Sequence, residues 1–557
     1  MTKKSQNLQE AALKLEQTQA CPPQKCPENA SSSSGGLTKW LLIGGVAAAG
    51  AVRSPPTSTS IPKHVPYLLI GGGTASFAAF RAIKSNEPTA KVMVISNEEV
   101  MPYMRPPLSK EIWFDSQLGV EQRRFKQWNG QERSLYYEPE EFYLPIEKLA
   151  DAKNGGVSVI RGYSVEKLNV AEQKVMLDDG TEITYDKCLI ATGSRPKTID
   201  IFDSAPTKIK EKIFSYKSIK DFEVLKSQVE KSKTVAIVGN GFLGSELACA
   251  LAHYGQNGKL KVYQVFHENG NMAKVLPDYL SRWTTDQIKE VGVDVQPNSQ
   301  IIGVEIFEGN QLKLKFNEGK SLVVDSVIQA VGSAPNTTFA KIAGLEVDPK
   351  HGGFLVNAEL EARTNLYAAG DVACFYDQKL GRRRIEHHDH AVVSGRLAGE
   401  NMVGLKKPYK HQSMFWSDLG SAVGYEAIGI VDSSLPTVAV FAKYNPLDDK
   451  RESSEDSKKS PDTTKSESTK EPEKETTKQV SVTSLPQDCP PSTVNTDNPG
   501  KGVVFYMQED RIVGILLWNV FNRISIARKI LMSDETFADL NEVAKLFDIF
   551  EAQDKQN

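Results

Sequence analysis

Thr234-Val-Ala-Ile-Val238, Gly239-Asn-Gly-Phe-Leu-Gly-Ser-Glu246 and Leu247-Ala-Cys-Ala-Leu-Ala-His-Tyr-Gly255 follow one another without a gap. The first run reads as a buried parallel strand, the second as a glycine turn and the third as a helix. Such a unit turns tightly at its first glycine, brings backbone against a pyrophosphate at the second and packs helix on strand at the third. The next strand, Lys261–Phe266, leads to Glu268. Its carboxylate would bind a ribose 2′-hydroxyl and repel a 2′-phosphate, so NADH is expected over NADPH.

The design occurs twice. Pro66-Tyr-Leu-Leu-Ile70 runs into Gly71-Gly72-Gly73-Thr74-Ala75-Ser76 and a helical stretch, FAAFRAIKS. Here small Ser76 takes the third glycine's place, and the helix amides would face phosphate. The strand Lys91–Ile95 ends near Asn97, Glu98 and Glu99, where an acidic group should meet the ribose. Two complete units imply two dinucleotides. Three more apolar runs end at glycine: Cys188–Gly193 and Val327–Gly332 mark crossings between domains, and Leu366–Asp371 places a carboxylate near the first ligand.

Around these units the texture from Val65 onward is that of an α/β protein with parallel sheets. Residues 446–500 are dominated by Ser, Thr, Lys, Glu, Asp and Pro and are expected to form a disordered insert. The stretch GVVFYMQEDRIVGILLWNV then alternates like a hairpin, and a helical pattern runs from Ile526 to Phe550. Residues 1–60 read as a leader with an apolar run at about 40–52 between Lys39 and Arg53. A spanning helix wants about 20 apolar residues, so a membrane anchor, a signal-like segment and a linker all stay open.

At 557 residues, two or three domains are expected. With 67 basic against 70 acidic residues there is no global drive toward nucleic acid. Six scattered cysteines exclude a disulfide scaffold, and the lack of any C-x-x-C argues against a dithiol relay. The cluster Glu386, His387, His388, Asp389, His390 has metal-ligand composition, but adjacent residues rarely converge on one ion, so no metal is expected.

From about residue 64 to the C-terminus the chain resembles the glutathione-reductase-like FAD/NAD flavoproteins, and within them the apoptosis-inducing-factor family. The stretches that carry the likeness are PYMRPPLSKEIW (102–113), GNGFLGSELACAL (239–251), GRRRIEHHDHAVVSGRLAGEN (381–401), HQSMFWSDLG (411–420) and FNRISIARKI (521–530). The resemblance implies an FAD domain over 61–195 and 334–413, an NAD domain over 196–333, and an α+β C-terminal domain over 414–557. It implies FAD contacts from Arg105 toward phosphate, Lys110 toward the isoalloxazine, Val170 at adenine, and Lys217, Asp371, His387 and His388. Lys217 stands where the family has arginine, and Asn97 where it has a ribose-binding glutamate, which leaves Glu98 as the neighbour. For NADH it implies Gly241, Phe242, Leu243, Glu268, Lys274 and Gly332 at adenosine and pyrophosphate, with Glu386, His387, Trp416, Glu426 and Trp128 around nicotinamide. Lys110 and Glu246 resemble an ion pair at the flavin edge, with a structural bridge between domains as the plainer reading. His387 and Trp416 read as stacking surfaces, because hydride transfer takes no proton from carbon.

The resemblance further implies slow reaction with NADH, a long-lived charge-transfer complex and a homodimer on reduction. It implies the mitochondrial intermembrane space, an inner-membrane anchor, an oxidative-import receptor as partner and support of respiratory-chain assembly. It also implies release to cytosol and nucleus in caspase-independent cell death. Sequence-independent DNA binding would rest on Lys208, Lys210 and Lys212 with Arg382–Arg384. A redox-gated interaction protein with little turnover, and an electron-carrier reductase, are the competing readings.

Overall fold

The computed structural model describes residues 60–114, 122–127, 130–256, 258–420, 423–442, 499–533 and 535–549. The apolar run at 40–52, Trp128 and residues 446–498 of the expected insert lie outside them. Among the described residues no helix is long and apolar enough to cross a membrane.

Parallel strands buried on both faces read in sequence as unbroken apolar runs, and two such sheets organise the chain. In the first, Leu366–Ala368, Glu182–Ile190, His64–Ile70, Lys91–Ser96 and Gly156–Arg161 lie side by side and parallel. In the second the order is Ile213–Ser215, Ser326–Gln329, Thr234–Val238, Lys261–Val265 and Asp294–Gln296, again all parallel. Each glycine-loop strand therefore sits inside its sheet, and both loops leave from the carboxyl ends of their strands, where ligands of such sheets bind. The α/β reading with two dinucleotide units holds.

The two-fold burial of Thr234–Val238 explains its composition. Val235 and Ile237 join a core shared with the C-terminal sheet, while Ala236 and Val238 face a core built with the antiparallel strands Ile301–Phe307, Gln311–Phe316 and Ser321–Val324. The helix Thr74–Asn86 crosses the helix His388–Met402 so closely that a Cβ on Gly395 or Gly399 would lie 2.2 or 2.3 Å from the carbonyl oxygens of Ala75 and Ala79. This contact fixes where the two helix N-termini stand.

The C-terminal region folds as one antiparallel sheet in the order Met414–Asp418, Gly424–Gly429, Arg511–Trp518, Gly502–Gln508, Thr437–Phe441. Its hairpin Gly502–Trp518 is the expected one. Alternation sorts its side chains between two cores: Val504, Tyr506, Leu516 and Trp518 pack toward the second parallel sheet, Val503, Phe505, Ile515 and Leu517 toward the terminal helices. The single helical pattern expected from Ile526 to Phe550 is instead a helix Ile524–Met532, a second helix Leu540–Ala544 and a tight turn Lys545–Phe547. Helix one ends at Ser533 in extended backbone, and Asp539 caps the next by accepting from the Asn541 N–H.

Candidate functional site

The two glycine loops open onto one cavity of about 1300 Å³. At each loop the first glycine has a backbone that side chains rarely adopt: φ is +115° at Gly71 and +124° at Gly239. A Cβ there would lie 2.2 Å from the Ala191 oxygen and 2.3 Å from the Ala330 oxygen respectively. The second glycines, Gly73 and Gly241, differ: a Cβ on either meets nothing within 4 Å, so the backbone is bare toward the cavity. Gly73, Gly241 and His387 are the N-caps of three long helices, and each lines the cavity with residues of its first turn. Their free N–H groups and dipoles make the cavity an anion receptor at three points. Duplicated cradles on one volume fit two dinucleotide phosphate chains.

Side chains from distant segments line the first cradle. Glu98 accepts from Arg105 Nη2 at 2.5 Å and from Tyr103 Oη at 2.7 Å, while Asn97 lines the wall beside it. Arg105 also donates to the Lys217 carbonyl at 3.1 Å. Lys217 Nζ donates to Ser194 Oγ at 2.7 Å and lies 3.8 Å from Asp371, which also accepts from Ser194 Oγ at 2.7 Å. Burial lowers the Lys217 ammonium and raises the Asp371 carboxyl, each opposed by the charge of the other. A lysine there supplies a point charge without the arginine fork.

Beside the second cradle, Lys110 Nζ donates to Glu246 Oε2 at 2.7 Å, with side-chain exposures of 11% and 6%. Ser109 Oγ reaches the same oxygen at 2.7 Å and Ser417 Oγ reaches Oε1 at 2.8 Å. Both oxygens of a buried carboxylate are thus occupied by three donors from two segments. Sequence reading missed Ser109 and Ser417, since lone serines carry no periodic signal.

On the facing wall, His387 stacks on Phe415 with ring centroids 4.4 Å apart and meets Phe242 edge-on at 6.1 Å; His388 meets Trp416 edge-on at 6.3 Å. Burial pulls both imidazoles down to about 4, so they are neutral near pH 7. Glu386 accepts from Ser333 Oγ and from Arg384 at 2.5 Å; burial pushes it upward, but these donors hold it below the usual carboxylate range. Gly332 completes this rim.

Four expected residues stand off the wall. Ser76 is wholly buried under the first loop, as a spacer between helix and sheet. Val170 packs on the first core at the far end of the strand Val165–Asn169; the cavity touches this hairpin at Tyr163, Ser164 and Val165, so position 165 replaces 170 at the rim. Glu268 stands just behind Lys274, which lines the cavity 3.8 Å away, and 3.4 Å from His267. Glu426 is the cross-strand partner of Trp416, with its carboxyl raised by burial.

The three arginines considered for nucleic-acid contact are engaged within the fold. Arg383 points inward to Gln412 and the Gly429 carbonyl, Arg384 to Glu386 and the His351 carbonyl, and Arg382 to the carbonyls of Val356 and Cys374. Of that set only Lys208 and Lys210 are exposed; Lys212 is half-buried. Cys188, Cys249 and Cys374 are separately buried, and burial pushes the latter two thiols up to about 12 and about 11. They are poor nucleophiles for dithiol exchange.

Acid should loosen the core behind this wall. His390, wholly buried against Phe375 and bonded to Tyr409 Oη at 2.9 Å, is held at about 3 by burial, with Arg383 adding to the effect and Asp389 opposing it. The unfolded chain binds that proton first, near 6.5. Stability is therefore full above about pH 6.5 and declines as pH falls toward the folded value. Between pH 7 and 4.5 this one group accounts for about 2–3 kcal/mol. His390→Phe, which keeps the stacking, should lose that much less than wild type in urea unfolding at the two pH values; equal acid losses would sink the assignment.

Comparison with known proteins agrees with this geometry. The family described as pyridine nucleotide-disulphide oxidoreductase matches residues 65–395, and the C-terminal family of apoptosis-inducing factor, mitochondrion-associated, matches 398–533. A putative mitochondrial apoptosis-inducing factor 1 of Drosophila melanogaster is 54% identical over 90% of this chain and 68% of its own. A mitochondrial apoptosis-inducing factor 1 of Dictyostelium discoideum is 37% identical over 88% and 82%. Among solved structures, a ferredoxin reductase from Rhodopseudomonas palustris superposes with a TM-score of 0.62 at 21% identity, covering 87% of this chain and all of its own, a likeness of fold.

Proposed function

The chain belongs to the apoptosis-inducing-factor family of pyridine-nucleotide-dependent flavin oxidoreductases, and on that premise we propose that it reduces FAD with NADH slowly and works chiefly as a redox-gated binding protein. FAD and NAD(H) are its cofactors. The observation that carries the reading is the pair of equivalent glycine cradles on one cavity that also holds the Lys110–Glu246 pair.

When bound, FAD supplies the hydride acceptor and nicotinamide the donor. Gly71–Ala75 would hold the flavin pyrophosphate, with Arg105, Lys217 and Asp371 along the chain between phosphate and ring. Gly241–Leu243 and Lys274 would hold the second pyrophosphate, with Glu268 favouring a free 2′-hydroxyl. Lys110 and Glu246 set the charge at the reacting edge. Neutral His387, stacked on Phe415, keeps water out and need move no proton.

No described thiol is placed to relay electrons onward, which favours the switch over a dithiol reductase. The same proposal includes a homodimer on reduction and residence in the mitochondrial intermembrane space through an inner-membrane anchor. It includes an oxidative-import receptor as partner in respiratory-chain assembly, and release to cytosol and nucleus in cell death. DNA contact, resting on Lys208, Lys210 and Lys212, would be sequence-independent and steeply salt-sensitive. Anaerobic stopped-flow reduction by NADH, followed by air and by sedimentation of both redox states, tests the core of it. A reduced protein that dimerises and reoxidises slowly is expected; fast reoxidation with high turnover would count against a switch and for an electron-transfer enzyme.

A further inference from the structure

Beneath the second glycine loop lie three wholly buried polar side chains, Ser245, Gln264 and Asn271, none of which lines the cavity. Gln264 Nε2 donates to the Gly239 carbonyl at 2.9 Å and to Ser245 Oγ at 3.3 Å. Asn271 Nδ2 donates to Ser245 Oγ and to Gln264 Oε1, both at 2.8 Å. The main chain of Asn271 is tied as well: its N–H donates to Thr285 Oγ1 at 2.8 Å, and its carbonyl accepts from Ser281 Oγ at 2.6 Å. Asn240, inside the loop, closes the circuit by donating Nδ2 to the Gly270 carbonyl and accepting from the Met272 N–H, each at 2.8 Å.

The segment fastened in this way, 270–272, has Glu268 just before it and Lys274 just after. Met272 is buried and holds φ at +56°, a left-handed conformation that costs a side-chain-bearing residue and persists where its surroundings over-determine it. Buried amides are expensive to desolvate, and an apolar trio of similar volume would fill the same space at lower cost. What the amides add is direction: Gln264 reaches the turn at Gly239, and Asn271 ties segment 270–272 to Gln264 and to Ser245 at the head of the helix Phe242–Tyr254.

We propose that Gln264 and Asn271 are positioning residues for the adenosine half of NADH, locking the pyrophosphate turn and the ribose-facing segment into one rigid cradle. The inference rests on the second loop receiving NADH. Gln264 and Asn271 act through Gly239, Asn240 and Lys274 and touch no nucleotide themselves. Their contribution belongs to binding of the adenosine end. The hydride step, set by Lys110 and Glu246 from other directions, is independent of them.

The test uses the full-length flavoprotein with Gln264→Met and Asn271→Leu, leaving Ser245 alone because it adjoins Glu246. Anaerobic reduction is followed with NADH and with reduced nicotinamide mononucleotide, which lacks the adenosine half. In both variants the NADH concentration for half-maximal rate should rise about tenfold or more. The limiting rate, the flavin content and the mononucleotide kinetics should stay within about twofold of wild type. Parallel losses with both donors would mean a general folding role and overturn the proposal, as would unchanged NADH kinetics. If Asn271→Leu does not accumulate, Gln264→Met decides, since it removes only that side chain's bonds to Gly239, Ser245 and Asn271. A wild type that NADH fails to reduce would instead overturn the reading of the loop itself.

Discussion

Gly239→Ala should yield a protein that keeps its flavin but is no longer reduced by NADH, and Gly71→Ala a protein that emerges without flavin. The added Cβ would stand 2.3 Å from the Ala330 oxygen in the first case and 2.2 Å from the Ala191 oxygen in the second. Both obstacles are main chain of the neighbouring strand's exit, so no side chain can swing aside. The backbone at φ +124° and +115° adds strain of about 1–3 kcal/mol. The turn must open, and its amides then no longer converge on phosphate. A loss of about a hundredfold in affinity, roughly 2.7 kcal/mol, is the lower bound expected. Because the loops belong to separate sheets, each loss should be confined to its own nucleotide. Flavin absorbance after dialysis and anaerobic NADH titration read the two effects. Gly73→Ala is the informative control: its Cβ meets no protein atom within 4 Å, so the fold should survive and flavin be lost only by collision with the ligand. A Gly239→Ala protein reduced like wild type would end the assignment.

Which parts of this site were legible in sequence follows from the kind of order that made them. Thr234–Val238 and His64–Ile70 lie in the middle of parallel sheets with both faces covered, so their buried stretches Val235–Val238 and Leu68–Ile70 had to be apolar and the strands stood out. The hairpin Gly502–Trp518 separates two cores, and the alternation read in its sequence sorts its side chains between them. Local order of this sort is written in consecutive residues. Glu246 with Ser109 and Ser417 is written across 137 and 171 positions, which no window along the chain can span.

The misreadings have the same origin. Arg382–Arg384 look like a surface patch because three adjacent cations usually are one. Here the short strand Gly381–Arg383 runs beside Ala373–Asp377, and carbonyls and carboxylates around it take up each guanidinium. The helical pattern past Ile526 continues in hydrophobic spacing through Phe547, but Ser533 and Asp539 interrupt the backbone between its two helices. Spacing reported which face is buried and said little about where the helix stops.

Lys110→Met carries the second large expectation, a loss of about 3 kcal/mol in stability together with slower reduction by NADH. Lys110 is the cation against which three burdened carboxyls are balanced: Glu246 at 2.7 Å, and Glu111 and Asp418, both pushed above their usual range by burial and drawn back by Lys110. Without the ammonium, Glu246 keeps its two serine donors, so the loss should sit at the low end of the roughly 3–5 kcal/mol typical of a stranded buried charge. The double variant Lys110→Met, Glu246→Gln removes the stranded charge and should regain most of that stability in urea unfolding. Rate separates the two meanings of the pair. As a bridge between segments, it would be dispensable once stability is restored, and reduction by NADH would recover with the fold. As the charge that tunes the flavin edge, it would not, and the double variant should be stable yet still slow, since neither methionine nor glutamine supplies a charge where the hydride arrives.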